Sequence, residues 1–368
     1  MDFTFTNEQI AFRDSVSRFL MSEVSPDTLR DIWETDGGRS PELRKMMAAQ
    51  GLTALSVPEA EGGLGLGDVD WALMTQELGY YAIPDSLADA AYVGAGLLAG
   101  LPADHPVRAA WLPRIADGSC RVAVGHPVNP WVADAGLADL LLLAHPVADG
   151  IELHALTRDA VEVIPQGSID GSRRLAQVRW EPSEASRAAD AQAGKTLWDE
   201  ALDRGAVNVA GQLVGLAQRM VDISVDYVAQ RKQFGRPIGS FQAVKHHLAD
   251  VVTKIEFARP VLYQAAYALA HGSAQRALLA SHAKLACADA AWVAARKGIQ
   301  VHGAMGYTWE VDLQMYAKRA WALDAAWGDR AFHKDRMAGV LLGDGAPLGP
   351  LASFDDAFET AFETDRES

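Results

Sequence analysis

The sequence predicts a mainly helical α+β fold, in which two helical regions flank a small block of β-strands. Apolar residues recur every three or four positions toward both ends of the chain, which indicates amphipathic helices. Short apolar runs between Gly, Pro and Asp fill the middle, which is typical of β-strands. We therefore expect an N-terminal helical domain over 1–119, a short β-domain over 120–190, a C-terminal helical bundle over 191–353 and an acidic tail over 354–368.

The N-terminal helices begin with a capping signal. Thr6 and Gln9 have the T-x-x-Q spacing of a capping box, in which each side chain binds the backbone N–H group of the other residue. The apolar residues that follow share one helical face: Phe12, Val16, Phe19 and Leu20. A Gly-rich stretch over 58–67 interrupts this region, and a further helical pattern begins at Asp70.

The middle and C-terminal regions have different periodicities. Short apolar runs predict four strands over 139–143, 151–156, 161–164 and 175–180. Helical periodicity resumes from Thr196 with the series Val207, Ala210, Val214, Ala217, Val221, Val225 and Val228, and heptad spacing follows at Leu278, Leu285 and Trp292. Long helices with such apolar stripes usually pack as a bundle.

Composition excludes several classes of function. The net charge of −15 argues against nucleic acid and anionic membrane surfaces as partners, because both require a basic face. Two cysteines in 368 residues provide no disulfide framework and fit a reducing cytoplasm. The first ten residues lack a basic segment followed by an apolar run, so we expect no signal peptide, and no apolar run has the length of a membrane span.

Four motifs carry a resemblance to a known family. Residues 231–242 read R-K-Q-F-G-R-P-I-G-S-F-Q, and residues 300–307 read Q-V-H-G-A-M-G-Y. Residues 51–65 contain G-L, V-P-E and G-G-L-G, and residues 77–79 read E-L-G. This pattern resembles the acyl-CoA dehydrogenases over nearly the whole chain. The resemblance implies a fold with a C-terminal four-helix bundle. It also implies a flavoenzyme that binds FAD and desaturates a CoA thioester between its α and β carbons.

The resemblance also implies a set of cofactor contacts. In the family, the arginine that matches Arg231 reaches the FAD pyrophosphate of the neighbouring subunit, and a guanidinium fork suits a diphosphate. A glycine matching Gly303 lets backbone approach the phosphates closely. The residues expected to contact the cofactor are Arg231, Gln233, Phe234, Gln242, Gln300, Gly303 and Ala304. Ala304 departs from the family, which usually has a second glycine there. The alternative is a surface arginine and a C-cap glycine without a ligand.

The β-domain departs from the family pattern. The family carries a T-E-P-x-x-G-S-D loop and a W-[IL]-[ST]-[NG] segment, which hold the isoalloxazine ring. Residues 124–131 stand at the place of the first motif and read V-G-H-P-V-N-P-W, and the second motif is missing. We therefore expect that this chain has lost much of the machinery for a flavin ring of its own. The alternative is a divergent loop that serves equally well.

Both positions that the family uses for its catalytic glutamate are empty. Removal of an α-proton requires a carboxylate poised over the carbon. The Y-E-G-T position of most members falls on Trp327, and the position of the other branch falls on Gly205. Asp329 and Asp203 are the nearest carboxylates in sequence and are weak candidates for a base; Asp329 equally suits a helix start or a surface ion pair.

No metal site is expected. The histidines and cysteines lack the spacing of metal ligands: His126, His246, His247, His302, His333, Cys120 and Cys287. Isolated histidines of this kind are usually core or surface residues.

The preferred hypothesis is a partner subunit in a heteromeric acyl-CoA dehydrogenase. The sequence resembles the base-less subunits of α2β2 enzymes from bacterial sterol side-chain catabolism, whose glutamate-bearing partner supplies the base and most of the flavin site. That resemblance implies an acyl-CoA substrate, whose acyl group would be bulky, such as a steroid. It also implies electron-transfer flavoprotein as a further partner. Two alternatives remain open: a self-sufficient homotetramer with an unusual base, and a non-enzymatic scaffold paralogue.

Overall fold

The N-terminal region is helical, as seen in the computed structural model, which describes residues 4–343. Thr6 caps the first helix by the expected reciprocal bonds, because its hydroxyl accepts from the Gln9 N–H group and the Gln9 side chain accepts from the Thr6 N–H group. The α-helices of this region are α1 (Asn7–Glu23), α2 (Pro26–Glu34), α3 (Pro41–Ala49), α4 (Asp68–Tyr80), α5 (Ala95–Ala99) and α6 (Pro106–Ala116). A π-helical turn, Asp89–Gly94, leads directly into α5.

Two small sheets form the middle domain. The first has the order β1-β3-β4-β7, with β1 parallel to β3 and the other pairs antiparallel, and the second has the order β2-β6-β5. The strands are β1 (Val122–Gly125), β2 (Val132–Ala133), β3 (Leu140–Val147), β4 (Gly150–Thr157), β5 (Glu162–Gln166), β6 (Leu175–Arg179) and β7 (Arg187–Ala189).

Strand β3 begins with four consecutive leucines because both of its faces are buried there. Leu140 and Leu142 belong to the main core with the helices, whereas Leu141 and Leu143 belong to a second core between the two sheets. A strand covered on both faces has no polar alternation. The first sheet therefore joins the β-domain to the helical body.

The C-terminal region is built from three long helices that pack on one another, with two short helices against them. These are α7 (Ala191–Gln230), α8 (Gln242–Ala270), α9 (Arg276–His302), α10 (Leu313–Asp324) and α11 (Arg330–Leu341). A hairpin of β8 (Lys232–Gln233) and β9 (Arg236–Pro237) connects α7 to α8.

Buried ion pairs tie the β-domain to the helices. Arg39 bonds Asp134, which follows β2, and Arg319 of α10 bonds Asp170, which precedes β6. Buried charges of this kind are costly unless they are paired and hydrogen-bonded, and each of these carboxylates also accepts a serine hydroxyl. The three domains are therefore held at fixed orientations around their common junction.

The structure confirms the predicted fold class, and the four predicted strands correspond to β3–β6. The helix expected from Thr196 begins earlier, at Ala191, because the Asp190 carboxylate caps it by accepting from Gln192 and Ala193 N–H groups. The predicted acidic tail over 354–368 lies outside the described residues. Within residues 4–343, no helix is long and apolar enough to span a membrane, and no group of side chains has the arrangement of a metal site.

Candidate functional site: the base positions and the end of the bundle

The two positions that the sequence predicts to match the family's glutamates meet in this structure. Gly205 lies within α7, and Trp327 lies in the turn between α10 and α11. A Cβ atom added at Gly205 would meet three atoms of the Trp327 indole, all closer than the 3.0 Å that real Cβ atoms keep. Trp327 is only 2% exposed. The indole therefore fills the space that either glutamate would enter.

Three hydrogen bonds fix Trp327 in this position. Its Nε1–H group donates to Asp89 Oδ1 at 2.9 Å, and its backbone N–H group donates to Asn129 Oδ1 at 2.7 Å. Its carbonyl oxygen accepts from His333 Nε2 at 2.9 Å. The backbone of Trp327 is left-handed, with φ of +55°. Such a conformation costs a non-glycine residue roughly 1–2 kcal/mol, so packing and these bonds must maintain it.

Helix α9 anchors the turn that carries the indole. Lys284 Nζ donates to the carbonyl oxygens of Asp324 at 2.8 Å and Gly328 at 2.9 Å, on either side of Trp327. Burial lowers the pKa of the Lys284 ammonium to about 8. Burial also lowers the pKa of His333 to about 4, and its neutral ring accepts from the Ser281 hydroxyl at Nδ1. The turn is therefore held by buried polar groups from α9 and α11.

The loop over 124–131, which we expected at the place of the family's flavin-ring motif, lies against the same indole. The ring of His126 lies 5.7 Å from that of Trp327 and 5.6 Å from that of Trp198, measured between centroids. Burial lowers the pKa of His126 to about 4. Asn129 of this loop accepts the Trp327 N–H group. The divergent loop and both base positions thus form one closed site.

A cavity of only about 40 Å³ remains beside Trp327. Charged side chains line much of it: Arg39, Asp85, Asp89, Arg173, Arg174 and Arg319. Burial raises the pKa of the Asp89 carboxyl, which accepts from Asn208 as well as from Trp327. A space of this size suits about one water molecule, whereas small-molecule sites measure about 300–1,000 Å³. This cavity does not accommodate a thioester or a flavin ring.

The two carboxylates proposed as weak base candidates have structural partners. Asp329 caps α11, because its carboxylate accepts from the Phe332 N–H group at 2.8 Å. Asp203 is 1% exposed and forms ion pairs with Arg336 at 2.7 Å and Arg276 at 3.5 Å. Burial raises the pKa of Asp203 although both arginines oppose this effect. Neither carboxylate has a hydrogen bond with Trp327 among the described residues.

The predicted cofactor residues lie on three segments that come together at one end of the bundle. Val228 near the end of α7, Leu248 in α8 and Val301 near the end of α9 form a small hydrophobic cluster. The Tyr227 and His302 rings stack there with centroids 4.1 Å apart. This cluster brings the hairpin, the start of α8 and the turn after α9 onto one surface.

All seven of these predicted residues are exposed: Arg231, Gln233, Phe234, Gln242, Gln300, Gly303 and Ala304. The hairpin presents Phe234 in a left-handed turn with Gly235, with φ values of +53° and +80°, and leaves its side chain 92% exposed. A two-residue turn with both φ values positive matches the twist of the flanking strands. Among the described residues, the Arg231 guanidinium has no hydrogen bond or ion pair.

This surface fits the diphosphate of a dinucleotide better than the interior fits a flavin ring. Gly303 has φ of +62° and ψ of −137°, and a Cβ atom added there would meet no atom within 4 Å. Its backbone is therefore open to an approaching phosphate. The free guanidinium of Arg231 and the exposed amide of Gln300 offer donors on the same surface.

Sequence reasoning did not find the side chains that close the interior. Asp89 and Asn129 hold the indole, and Lys284 and His333 hold its turn. One signal was available for Lys284, because it stands within the apolar stretch Ala283–Cys287 of a predicted helix. The other three lie far apart in sequence, and only the tertiary fold brings them together.

The comparisons with known proteins agree with this fold. Residues 6–119 match the N-terminal domain of acyl-CoA dehydrogenases, and residues 192–342 match the C-terminal domain of the same family. The chain is 33% identical over 316 residues to acyl-CoA dehydrogenase IpdE2 of Mycobacterium tuberculosis, which covers 85% of this chain and 91% of that protein. This chain therefore belongs to the acyl-CoA dehydrogenase family, whose members typically bind FAD.

Two solved structures share the fold at lower identity. The ChsE4–ChsE5 complex from Mycobacterium tuberculosis matches with a TM-score of 0.83 and 20% identity, over 95% of this chain and 100% of that chain. The steroid ACAD Tcur3481–Tcur3483, in a variant form, matches with a TM-score of 0.82 and 23% identity, over 92% of this chain and 98% of that chain.

Proposed function

We propose that this chain is the subunit of a heteromeric acyl-CoA dehydrogenase that contacts FAD in trans, while a glutamate-bearing homologue supplies the base. One observation carries the proposal. The two base positions, Gly205 and Trp327, occupy one place, and the indole fills it. A tryptophan and a glycine cannot accept an α-proton, and a cavity of about 40 Å³ cannot hold the thioester.

The exposed end of the bundle gives the chain its role in the proposed reaction. Bound FAD would accept a hydride from the β carbon as the partner's glutamate removes the α-proton. Arg231 would bind the diphosphate of that FAD through two parallel hydrogen bonds. Gln300 and the backbone at Gly303 would orient the same phosphates, and Phe234 would cover the cofactor from water. These residues bind and position, and they transfer no proton.

The substrate class in this proposal is an acyl-CoA with a bulky acyl group. In each pair of subunits, the interior of this chain is closed and only the partner has an active site. That arrangement allows a larger cavity for the acyl group in the partner. Two structural relatives support a heteromer with a bulky substrate. One is the ChsE4–ChsE5 complex, and the other is the steroid ACAD Tcur3481–Tcur3483. The electron acceptor in the proposal is electron-transfer flavoprotein, and the site of action is the cytoplasm.

Two alternatives receive less support. A self-sufficient homotetramer would need a base, yet Asp329 caps a helix and Asp203 is buried between two arginines. A scaffold without catalytic partners would have no use for Arg231, an exposed guanidinium without a partner among the described residues. The heteromeric enzyme explains both the closed interior and the open surface.

The decisive experiment measures activity, mass and flavin content together. The isolated chain should show no turnover with a panel of acyl-CoAs and a dye acceptor, whereas active enzymes typically reach about 1–10³ per second. Co-expression with a glutamate-bearing homologue from the same genome should give an active heterotetramer with two FAD molecules. A stable, active homotetramer of this chain with four FAD molecules would overturn the proposal.

The contact to FAD has a separate test. Arg231→Ala should weaken FAD retention in the assembled complex by on the order of 1.5–3 kcal/mol, because a charge-assisted bond to the diphosphate is lost. Arg179→Ala removes an arginine whose side chain is 61% exposed on the β-domain, and it serves as the matched control. Equal FAD affinity in both variants would remove Arg231 from the site.

A further inference from the structure

The ion pairs around the cavity beside Trp327 leave positive charge in excess. Arg39 and Arg319 line this cavity, and each of them pairs with one aspartate of the β-domain. Asp85 also lines it, and two arginines share that single carboxylate. Four arginines at this junction are therefore paired with only three aspartates.

Two more arginines of the cavity wall have no ion pair with a carboxylate in residues 4–343. The Arg173 guanidinium makes a single hydrogen bond, to the Ala322 carbonyl oxygen at 3.4 Å. The Arg174 guanidinium bonds only backbone carbonyl oxygens. Counted with Asp89, the remaining carboxylate of the wall, six arginines face four aspartates.

Asp89 does not offset this excess. Its Oδ1 atom accepts from both Trp327 Nε1 and Asn208 Nδ2, and burial raises the pKa of its carboxyl group. Burial also lowers the pKa of the Arg173 guanidinium. A cation in the protein interior is costly unless a counter-ion pairs with it, so an anion beside Arg173 would stabilise the folded chain.

The same wall supplies hydrogen-bond donors for a small ligand. Most N–H groups of the Arg173 guanidinium have no acceptor among the described residues. The side-chain amides of Asn208 and Gln212 line the cavity, and each donates one hydrogen bond. A second N–H group therefore remains on each amide nitrogen. The cavity volume of about 40 Å³ suits a ligand about as large as a water molecule.

We propose that this cavity binds one small inorganic anion, a halide such as chloride, with Arg173 as its main ligand. Asn208 and Gln212 of α7 donate to the same ion through their amide N–H groups. A halide is close to water in size and accepts hydrogen bonds from any direction, whereas a phosphate or a carboxylate ligand is too large for this space. A water molecule would satisfy the donors but leave the positive charge unpaired. The inference concerns the interior of this chain and does not depend on the proposed contact to FAD.

The first test locates the ion with bromide, which replaces chloride and scatters X-rays anomalously. Crystals of the full-length protein grown in potassium bromide should show an anomalous peak in the cavity, within hydrogen-bond reach of the Arg173 guanidinium. Arg173→Gln should lose this peak. Arg179→Gln makes the same change at an arginine whose side chain is 61% exposed, and it should keep the peak. A wild-type cavity without an anomalous peak would overturn the inference.

The second test measures the ion in solution by thermal unfolding. Replacement of potassium gluconate by potassium chloride at constant ionic strength should raise the unfolding midpoint of wild type and Arg179→Gln by at least about 2 °C, because a ligand of the folded state stabilises it. Gluconate is too large for the cavity. The rise should disappear in Arg173→Gln, and an equal rise in wild type and Arg173→Gln would overturn the inference even if crystals show bromide. If Arg173→Gln does not fold, the bromide peak of the wild type decides the assignment.

Discussion

A double-mutant cycle at Gly205 and Trp327 tests whether the two base positions share one space. The first change is Gly205→Ala, and the second is Trp327→Gly, which relieves the left-handed backbone at that residue. In the wild type, the added Cβ atom would meet the indole closer than 3.0 Å. The indole cannot move aside easily, because Asp89, Asn129 and His333 bind the same residue.

The magnitudes follow from two opposing effects. Replacement of a buried helical glycine by alanine gains about 1 kcal/mol of helix propensity. Overpacking of a filled core costs typically about 1–3 kcal/mol, so Gly205→Ala alone should be neutral to destabilising by about 2 kcal/mol. In the Trp327→Gly background the overlap is gone, and the same change should stabilise by about 1 kcal/mol. The coupling energy between the two sites is therefore about 1–3 kcal/mol.

The assay is urea unfolding of the four proteins, with the free energy of unfolding read from each transition. Trp327→Gly alone should destabilise by about 3–5 kcal/mol, the usual cost of truncating a buried tryptophan. Trp309→Gly removes an indole that is 70% exposed, and it controls for the loss of an aromatic side chain elsewhere. Additivity of the Gly205 and Trp327 changes within about 0.5 kcal/mol would refute the shared space.

Three further predictions concern the groups around the indole. Asp329→Ala should lower the free energy of unfolding by about 1 kcal/mol, because the α11 cap is lost. Asp329→Asn should keep both the cap and the activity of the complex. A loss of activity in Asp329→Asn with unchanged stability would instead make Asp329 a base. The pKa of Lys284 is about 8 in the folded chain and ordinarily 10.5, so the unfolded chain binds more protons between these values and stability should rise from pH 8 to 10.5. Urea unfolding should show this rise in wild type and lose it in Lys284→Met. The pKa values of His126 and His333 are about 4 rather than 6.5, so stability should fall as the pH decreases from 6.5 to 4, and His333→Asn should reduce that slope.

Much of the fold was predictable because its signals are local. The Thr6–Gln9 cap, the apolar stripe of α7 and the strands β3–β6 all appear as expected. The start of α7 was placed five residues late, because the pattern of apolar residues begins after the Asp190 cap. Strands β1, β2 and β7 were missed because segments of two to four residues carry too short a pattern.

The candidate site was predictable only in part. The absence of a glutamate at Trp327 and Gly205 could be predicted, since each position was counted from a local motif. Their contact could not, because 122 residues separate them and only the packing of α7 against the turn after α10 joins them. The roles of Asn129 and Asp89 could not be predicted either, because both depend on the position of Trp327 in the folded chain.

Helix α7 separates the predicted base position from the predicted cofactor contact. Gly205 and Arg231 stand at the middle and the end of the single helix α7, with the Arg231 residue capping it. The 26 residues between them correspond to about 39 Å along a helix that rises about 1.5 Å per residue. The predicted diphosphate contact at Arg231 and the predicted base position at Gly205 therefore lie far apart on this chain. Helix α9 separates the same two sites. Lys284 anchors the turn that carries Trp327, and Gln300 lies about 24 Å further along the helix axis. In the proposed heteromer, the exposed surface therefore serves a neighbouring subunit, and that subunit brings the glutamate.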